Sequence, residues 1–387
     1  MILSNNIIFR NFKEKRKIHS LNKILNEILQ KKNEILKSMT PDYKYSFSSK
    51  LIKKFKKFSK MRIIGMGGSI LGTKAIYSFL NLKIKKKVEF VDNLLPRRNL
   101  SSESNLLNLV VSKSGNTLET ISNVNILVKK NQKKIFIVEN NDSYLRVLGN
   151  KMRAEVIDHN NYIGGRYSVL SEVGMLPASL LGLEEKKFKQ LNNLIKNKNF
   201  MNLLIRNVSN IIFFLKNKKY NSVILNYDQK SEDFFLWYQQ LVGESLGKKQ
   251  KGIYPLISKM PRDNHSLMQL YLDGPRNNFF TIFNFNDKKS NKLNNKSILK
   301  SHNYLKNKTL TKIINSQKEA TEKVFQKKKI PFRSFEIKNR NEATLGELFT
   351  FFVLETIMIG KALKINPYNQ PSVELIKVAT KDKLIKF

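Results

Sequence analysis

The sequence predicts an α/β protein of two domains, each a parallel β-sheet flanked by helices, with a helical arm before them and a helix after. Three observations carry that prediction. At 387 residues the chain is too long for one compact core. Strand-length apolar runs alternate with helical stretches, the pattern of helix-covered parallel sheets. The alternation occurs once in each half, so a duplicated architecture is expected.

Residues 1–59 read as a basic, amphipathic, helical arm packed on the first domain. Leu21, Ile24, Leu25, Ile28 and Leu29 recur at helical spacing, as do Leu51, Phe55 and Phe58, and Thr40-Pro41 breaks the run. Residues 60–183 make the first domain, with strands at Met61–Ile64, Lys87–Val91, Leu106–Val111, Lys134–Val138 and Ala154–Ile157. Residues 184–219 form a helical linker. The second domain, 220–363, takes strands at Ser222–Tyr227, Phe279–Phe285 and Phe332–Ile337. Its helices fall at Ser231–Lys248, Asn264–Leu272, Ser301–Gln326 and Glu342–Leu363, with Asn286–Lys300 a surface loop. The tail, 364–387, carries a helix from Pro371.

Lys and Arg number 71 against 30 Asp and Glu, a net charge of +41. Such an excess is either a footprint for nucleic acid or compositional drift. Lys-Lys pairs are spread along the whole length and no RNA-binding module is recognisable, which favours drift. Non-specific affinity for polyanions follows under either reading. Cysteine is absent, which excludes disulfides, thiolate metal sites and a cysteine nucleophile. No apolar run approaches the ~18 residues that span a bilayer, and Ile7-Ile8-Phe9 before Arg10 is too short for a signal-peptide core. The expectation is a cytoplasmic protein without a membrane partner.

Six stretches carry candidate chemistry. In Ser112-Lys113-Ser114-Gly115-Asn116-Thr117 an apolar run ends in a polar turn before a helix, which suits a phosphate: Ser112, Ser114 and Thr117 offer hydroxyls, Lys113 a charge, and Asn116 with Glu119 a capping box. An ordinary βα loop with a good cap reads equally well. Gly65-Met66-Gly67-Gly68-Ser69-Ile70-Leu71-Gly72 fits neither the dinucleotide nor the P-loop spacing; a backbone approach site at Gly68 and Ser69 survives. Gly164-Gly165-Arg166-Tyr167-Ser168 either holds an Arg against a ligand or is a helix entry with a structural Arg. Gln240 and Glu244 share a helix face, and Glu244 between Gly243 and Gly247 is either a general base or a surface carboxylate at a fraying end. Asp263 is expected as an N-cap with His265 in the first turn, where a helix N-terminus keeps imidazole neutral. Gln370 and Lys377 lie two turns apart near one face of the tail helix.

In this order the six stretches resemble the phosphoglucose isomerase family, from about Met61 to Lys377. The resemblance implies two sugar-isomerase (SIS) domains of three-layer αβα form, a site between them, and a homodimer. It implies reversible aldose–ketose isomerisation of glucose 6-phosphate to fructose 6-phosphate through a cis-enediol, in glycolysis and gluconeogenesis, with no cofactor and no metal. By the resemblance Ser112, Lys113, Ser114 and Thr117 hold the phosphate of the hexose 6-phosphate, and Gly68 and Ser69 lie along the sugar. Glu244 shuttles the proton between C1 and C2, and Arg166 stabilises the enediolate. His265, donated by the neighbouring subunit, and Lys377 assist ring opening, while Gln240 and Gln370 contact the substrate. Ser372, Glu172 and Asn116 depart from the family pattern. Two alternatives stand beside this reading: an isomerase that also accepts mannose 6-phosphate, and a non-catalytic SIS-domain phosphosugar-binding protein. Glu244, His265, Arg166 and Lys377 together argue against the second.

Overall fold

A computed structural model of the chain describes residues 2–13, 18–31, 33–97 and 105–386. Its strands, in chain order, are β1 (Ile2–Ser4), β2 (Ile7–Arg10), β3 (Lys60–Ile64), β4 (Lys87–Val91), β5 (Leu106–Val111), β6 (Lys133–Val138), β7 (Glu155–Asp158), β8 (Asn221–Asn226), β9 (Tyr254–Lys259), β10 (Asn278–Phe285) and β11 (Phe332–Ile337). They form two sheets, ordered β4-β3-β5-β6-β7 and β1-β2-β11-β10-β8-β9.

The first sheet is parallel throughout. Every residue of β5 is buried, because helices cover both faces and each side chain meets a core whichever way it points. Ile63, Leu109 and Ile135 pack with Val173, Leu176 and Leu180 on one face. Ile64, Val110 and Phe136 pack with Val124, Leu127 and Leu145 on the other. The layers are helix, sheet, helix, as expected.

The second sheet departs from its expectation. β8 to β11 are parallel, but β2 lies antiparallel beside β11, and β1 antiparallel beside β2. Residues 2–4 and 7–10 are therefore strand, not helix. Ile7 and Phe9 alternate inward along β2, and Phe9 sits 4.5 Å from Phe335, ring centre to ring centre. The rest of 1–59 does contain helices, Ser20–Gln30, Glu34–Lys37 and Ser49–Phe55. Leu21 and Leu25 of the first pack into the core of the second sheet, while Phe55 joins that of the first. The arm straddles both sheets, and does not pack on the first alone.

β9 stands where a loop is expected, since Pro255 cannot donate to a ladder. At the sheet edge it does not need to. The helix expected over Ser301–Gln326 spans Leu310–Lys327, because Asn307 is left-handed and Thr309 caps Lys312. Helix Glu342–Ala362 corrects the expectation that no run suffices for a membrane: it is long and apolar enough, and 94% of its most apolar window is buried in the fold. One large core joins that helix to Lys198–Lys216, Glu232–Leu246 and, from the first half, Leu71–Phe79. Packing Leu71–Phe79 against Glu232–Leu246 brings the glycine-rich loop onto the helix that carries Glu244, at Gln240.

Candidate active site

The β5 loop is built as a rigid turn. Gly115 has φ +64°, and a Cβ there would fall on Ser143 Oγ. Ser112 Oγ and Thr117 Oγ1 lie 3.1 Å apart in front of helix Leu118–Leu127, whose first N–H groups have no acceptor within the helix. The capping box does not form. Thr117 is the N-cap residue, without a side-chain bond, and Asn116 Oδ1 instead accepts from Tyr144 N at 3.0 Å, tying the loop to its neighbour. Lys113 Nζ donates to Asn161 O at 2.9 Å and pairs with Glu139 at 3.2 Å. Its charge is engaged away from the hydroxyls.

Across from this loop three backbones meet. A Cβ on Gly68 would collide with the Gly165 carbonyl, so the β3 loop and the Gly165–Leu170 turn touch directly. Gly67, at φ +52°, leaves room for Gln240, whose Nε2 would lie 2.7 Å from a Cβ. Trp237 Nε1 donates to Arg166 O at 3.1 Å. The Arg166 side chain, 1% exposed, then uses all five of its N–H donors within the chain. Nε donates to Ser245 Oγ at 2.8 Å; Nη1 to Gln370 Oε1 at 2.8 Å and Glu244 Oε2 at 3.2 Å; Nη2 to Pro367 O at 2.8 Å and Asn369 O at 3.2 Å.

Glu244 is thus oriented on both oxygens, since Gln240 Nε2 donates to Oε1 at 2.9 Å, and its side chain is 31% exposed. Tyr167 Oη meets Ser245 Oγ and Pro367 O, and burial pushes its phenol up to about 12. Lys248 Nζ donates to Asn366 O at 2.7 Å and Ser245 O at 3.0 Å; desolvation first, and Arg166 second, hold it down to about 8. A partly open, oriented carboxylate beside a buried guanidinium can move a proton next to a developing oxyanion.

A family model described as phosphoglucose isomerase matches residues 21–255. The chain is 32% identical over 345 residues to a glucose-6-phosphate isomerase of Methanocaldococcus jannaschii, covering 82% of each chain. It is 34% identical to one of Mycoplasmopsis pulmonis, covering 81% of this chain and 80% of that one. The chain belongs to the phosphoglucose isomerase family. The fold agrees: a Chlamydia trachomatis glucose-6-phosphate isomerase superposes with TM-score 0.69 at 20% identity, over 87% of this chain and 72% of that one. A Thermus thermophilus structure described as a hypothetical protein superposes with TM-score 0.81 at 22% identity, over 94% of each.

Among the residues the family resemblance singles out, Gly68, Arg166, Gln240, Glu244 and Gln370 come together, while Ser112, Ser114 and Thr117 form the turn in front of Leu118. Ser69 closes the short turn beside Gly68. His265 and Lys377 do not join them. His265 is exposed in the turn Arg262–His265, and its ring has no polar partner among the described residues. Asp263 is not an N-cap: its carboxylate accepts from Lys259 N at 2.8 Å and Arg262 Nε at 3.0 Å, pinning the turn to the end of β9. Lys377 pairs with Glu374 at 2.6 Å on helix Val373–Ile385, which buries no side chain. That helix starts after Gln370, so the two do not share a helix face. Gly243 has open space at its Cβ, so no neighbouring element makes the close approach expected there. Ser245, Tyr167 and Lys248 join this cluster without having been named as candidates, although Tyr167 lies inside a stretch singled out, Ser245 follows Glu244 and Lys248 follows Gly247.

Proposed function

We propose that the chain interconverts glucose 6-phosphate and fructose 6-phosphate through a cis-enediol, as a step of glycolysis and gluconeogenesis. The observation that carries this reading is the Glu244 carboxylate, held by Gln240 and Arg166 and still partly open. Glu244 takes the proton from C2 of the open-chain aldose and returns it to C1, while a second proton passes from O2 to O1. Arg166 has no spare donor, so it acts on the enediolate as a fixed positive charge. The exposed Gln370 amide is the contact a substrate displaces most readily. Ser112, Ser114, Thr117 and the N-terminus of Leu118–Leu127 hold the phosphate; binding there aligns C1 and C2 without touching them. Gly68 and Ser69 lie along the sugar.

In this reading residues 60–183 are the phosphate-binding domain and 220–363 the domain supplying Glu244 and His265, joined by 184–219. His265 serves the Glu244 of a second copy in a homodimer; its exposure and lack of polar partners among the described residues support this. Lys377 reaches the sugar when the tail helix docks, supported by the absence of any buried side chain on that helix. A chain without cysteine suits a reducing cytoplasm.

The test is Glu244→Gln in a coupled assay with fructose 6-phosphate. Turnover is expected to fall about 10³-fold, the scale of a lost general base, with sugar-phosphate binding little changed. Near-normal turnover removes Glu244 as the base. No isomerisation by the unmodified chain, together with tight, salt-sensitive RNA binding, overturns the reading as a whole.

A further inference from the structure

A buried ammonium lies behind the Arg166 turn. Lys189 follows the short turn Glu185–Phe188 and is 3% exposed. Its Nζ donates to two backbone carbonyls, Ser38 O and Leu170 O, and lies 5.2 Å and 4.8 Å from the ring centres of Tyr43 and Tyr45. Leu170 is the last residue of the turn that opens with Gly165 and Arg166. Ser38, Tyr43 and Tyr45 belong to the segment 38–46, a strap running from helix Glu34–Lys37 toward Ser49–Phe55.

The strap is tied to the same junction a second time. Glu172, buried at the start of helix Glu172–Leu180, accepts from Tyr43 Oη at 3.0 and 3.2 Å and from Ser46 N at 3.4 Å. The chain at Lys189 is also fixed from behind, since a Cβ on Gly346 would collide with the Phe188 carbonyl. Burial holds the Lys189 ammonium down to about 7, against the pull of Glu172 and Glu185. In a chain whose lysines are mostly solvated, a lysine kept dry needs a reason. Here it supplies the donor that two buried carbonyls need and that the backbone cannot provide.

We propose that Lys189 is a positioning residue for Arg166: it locks the Gly165–Leu170 turn against the 38–46 strap, so that the guanidinium meets Glu244 and Gln370. The catalytic half of this inference rests on the reading of Glu244 as the base. A tight turn of this kind has little slack, so a displaced Leu170 carbonyl tilts the turn and carries all five Arg166 contacts with it. Misplacing a catalytic constellation by ~1 Å costs up to ~10² in rate.

Trp237, the one tryptophan of the sequence, donates to the Arg166 carbonyl. Its indole N–H resonance therefore reports the turn without requiring turnover. In folded Lys189→Met the resonance is expected to move and kcat to fall about tenfold, with KM for fructose 6-phosphate within about twofold. An unmoved resonance overturns the inference, as does a moved resonance with unchanged kcat. A loss of melting temperature alone is what a merely structural lysine would give. Should Lys189→Met fail to fold, Tyr43→Phe loosens the same strap by one hydroxyl. A smaller displacement of the resonance and about threefold lower kcat support the inference, and no displacement overturns it. If the unmodified chain does not isomerise, the functional reading fails separately, and the Trp237 resonance alone decides whether Lys189 sets the Arg166 turn.

Discussion

Arg166 and Lys377 are two cations that the proposed reading gives to one reaction, and their surroundings differ in exposure, bonding and packing. Arg166 is 1% exposed, bonded through all five donors, and held by contacts from the helix of Glu244 and the loop of Gln370. The Lys377 side chain is 60% exposed, with a partner three residues away on a helix that touches no core. His265 resembles Lys377 in its exposure. On the proposed reading, the difference separates a proton-transfer centre that one chain builds by itself from ring-opening groups that would need docking of the tail or of a second copy. In that reading isomerisation of the open-chain sugar and opening of its ring fall to parts of the molecule with different order.

The largest effect expected of that contrast is at Arg166. Arg166→Lys keeps a positive charge but loses the planar fork, so at least two of the Ser245, Glu244, Gln370, Pro367 and Asn369 acceptors lose their Arg166 donor. Turnover of fructose 6-phosphate is expected to fall about 10²-fold, with a lower melting temperature. A variant close to wild type in both would mean that the centre is not the pre-built half of the site.

A smaller effect tests the borrowed half. In a symmetric dimer that shares His265 across its interface, mixing inactive Glu244→Gln and His265→Ala chains puts both intact residues into one site of each mixed dimer. Random reassortment then restores about a quarter of wild-type activity. If His265 serves its own chain, the mixture stays inactive, and His265 leaves the half of the site that a second copy would complete.

How much of this was legible beforehand follows from the kind of signal each part carries. β5 was read to the residue, because a strand covered on both faces is an unbroken apolar run. β9 was not, because its pattern is that of an edge, half exposed and interrupted by Pro255. β1 and β2 were lost because three or four residues of alternation are too short to stand out beside eleven of helix. At the site, residue types alone left Glu244 and Arg166 open and the ordered family resemblance singled them out, but among the partners that orient Arg166 are the carbonyls of Pro367 and Asn369, and a carbonyl has no letter in a sequence. Lys189 was invisible for the opposite reason: one buried lysine looks like any other in a chain of 71 Lys and Arg. The exposure of His265 away from Glu244 of its own chain agrees with what the resemblance implies, whereas its place in a short turn after β9 and not in a capped helix was not read.

The smallest effect concerns the phosphate loop, where another lysine has already been claimed by the fold. Lys113 donates to Asn161 O and pairs with Glu139, so its charge near a bound phosphate is largely cancelled within a few ångströms. Ser112 and Thr117 face one another across the loop, and the helix behind them contributes its unpaired N–H groups whatever residue stands at 113. Lys113→Gln is therefore expected to raise KM for fructose 6-phosphate by about twofold and leave kcat unchanged, the signature of a weak uniform contact. Thr117→Val, which removes a hydroxyl from the turn itself, is the control and should raise KM more. A larger rise for Lys113→Gln than for Thr117→Val would show that the ammonium leaves Glu139 when phosphate arrives, and would move this loop from the pre-built half of the site to the half that rearranges.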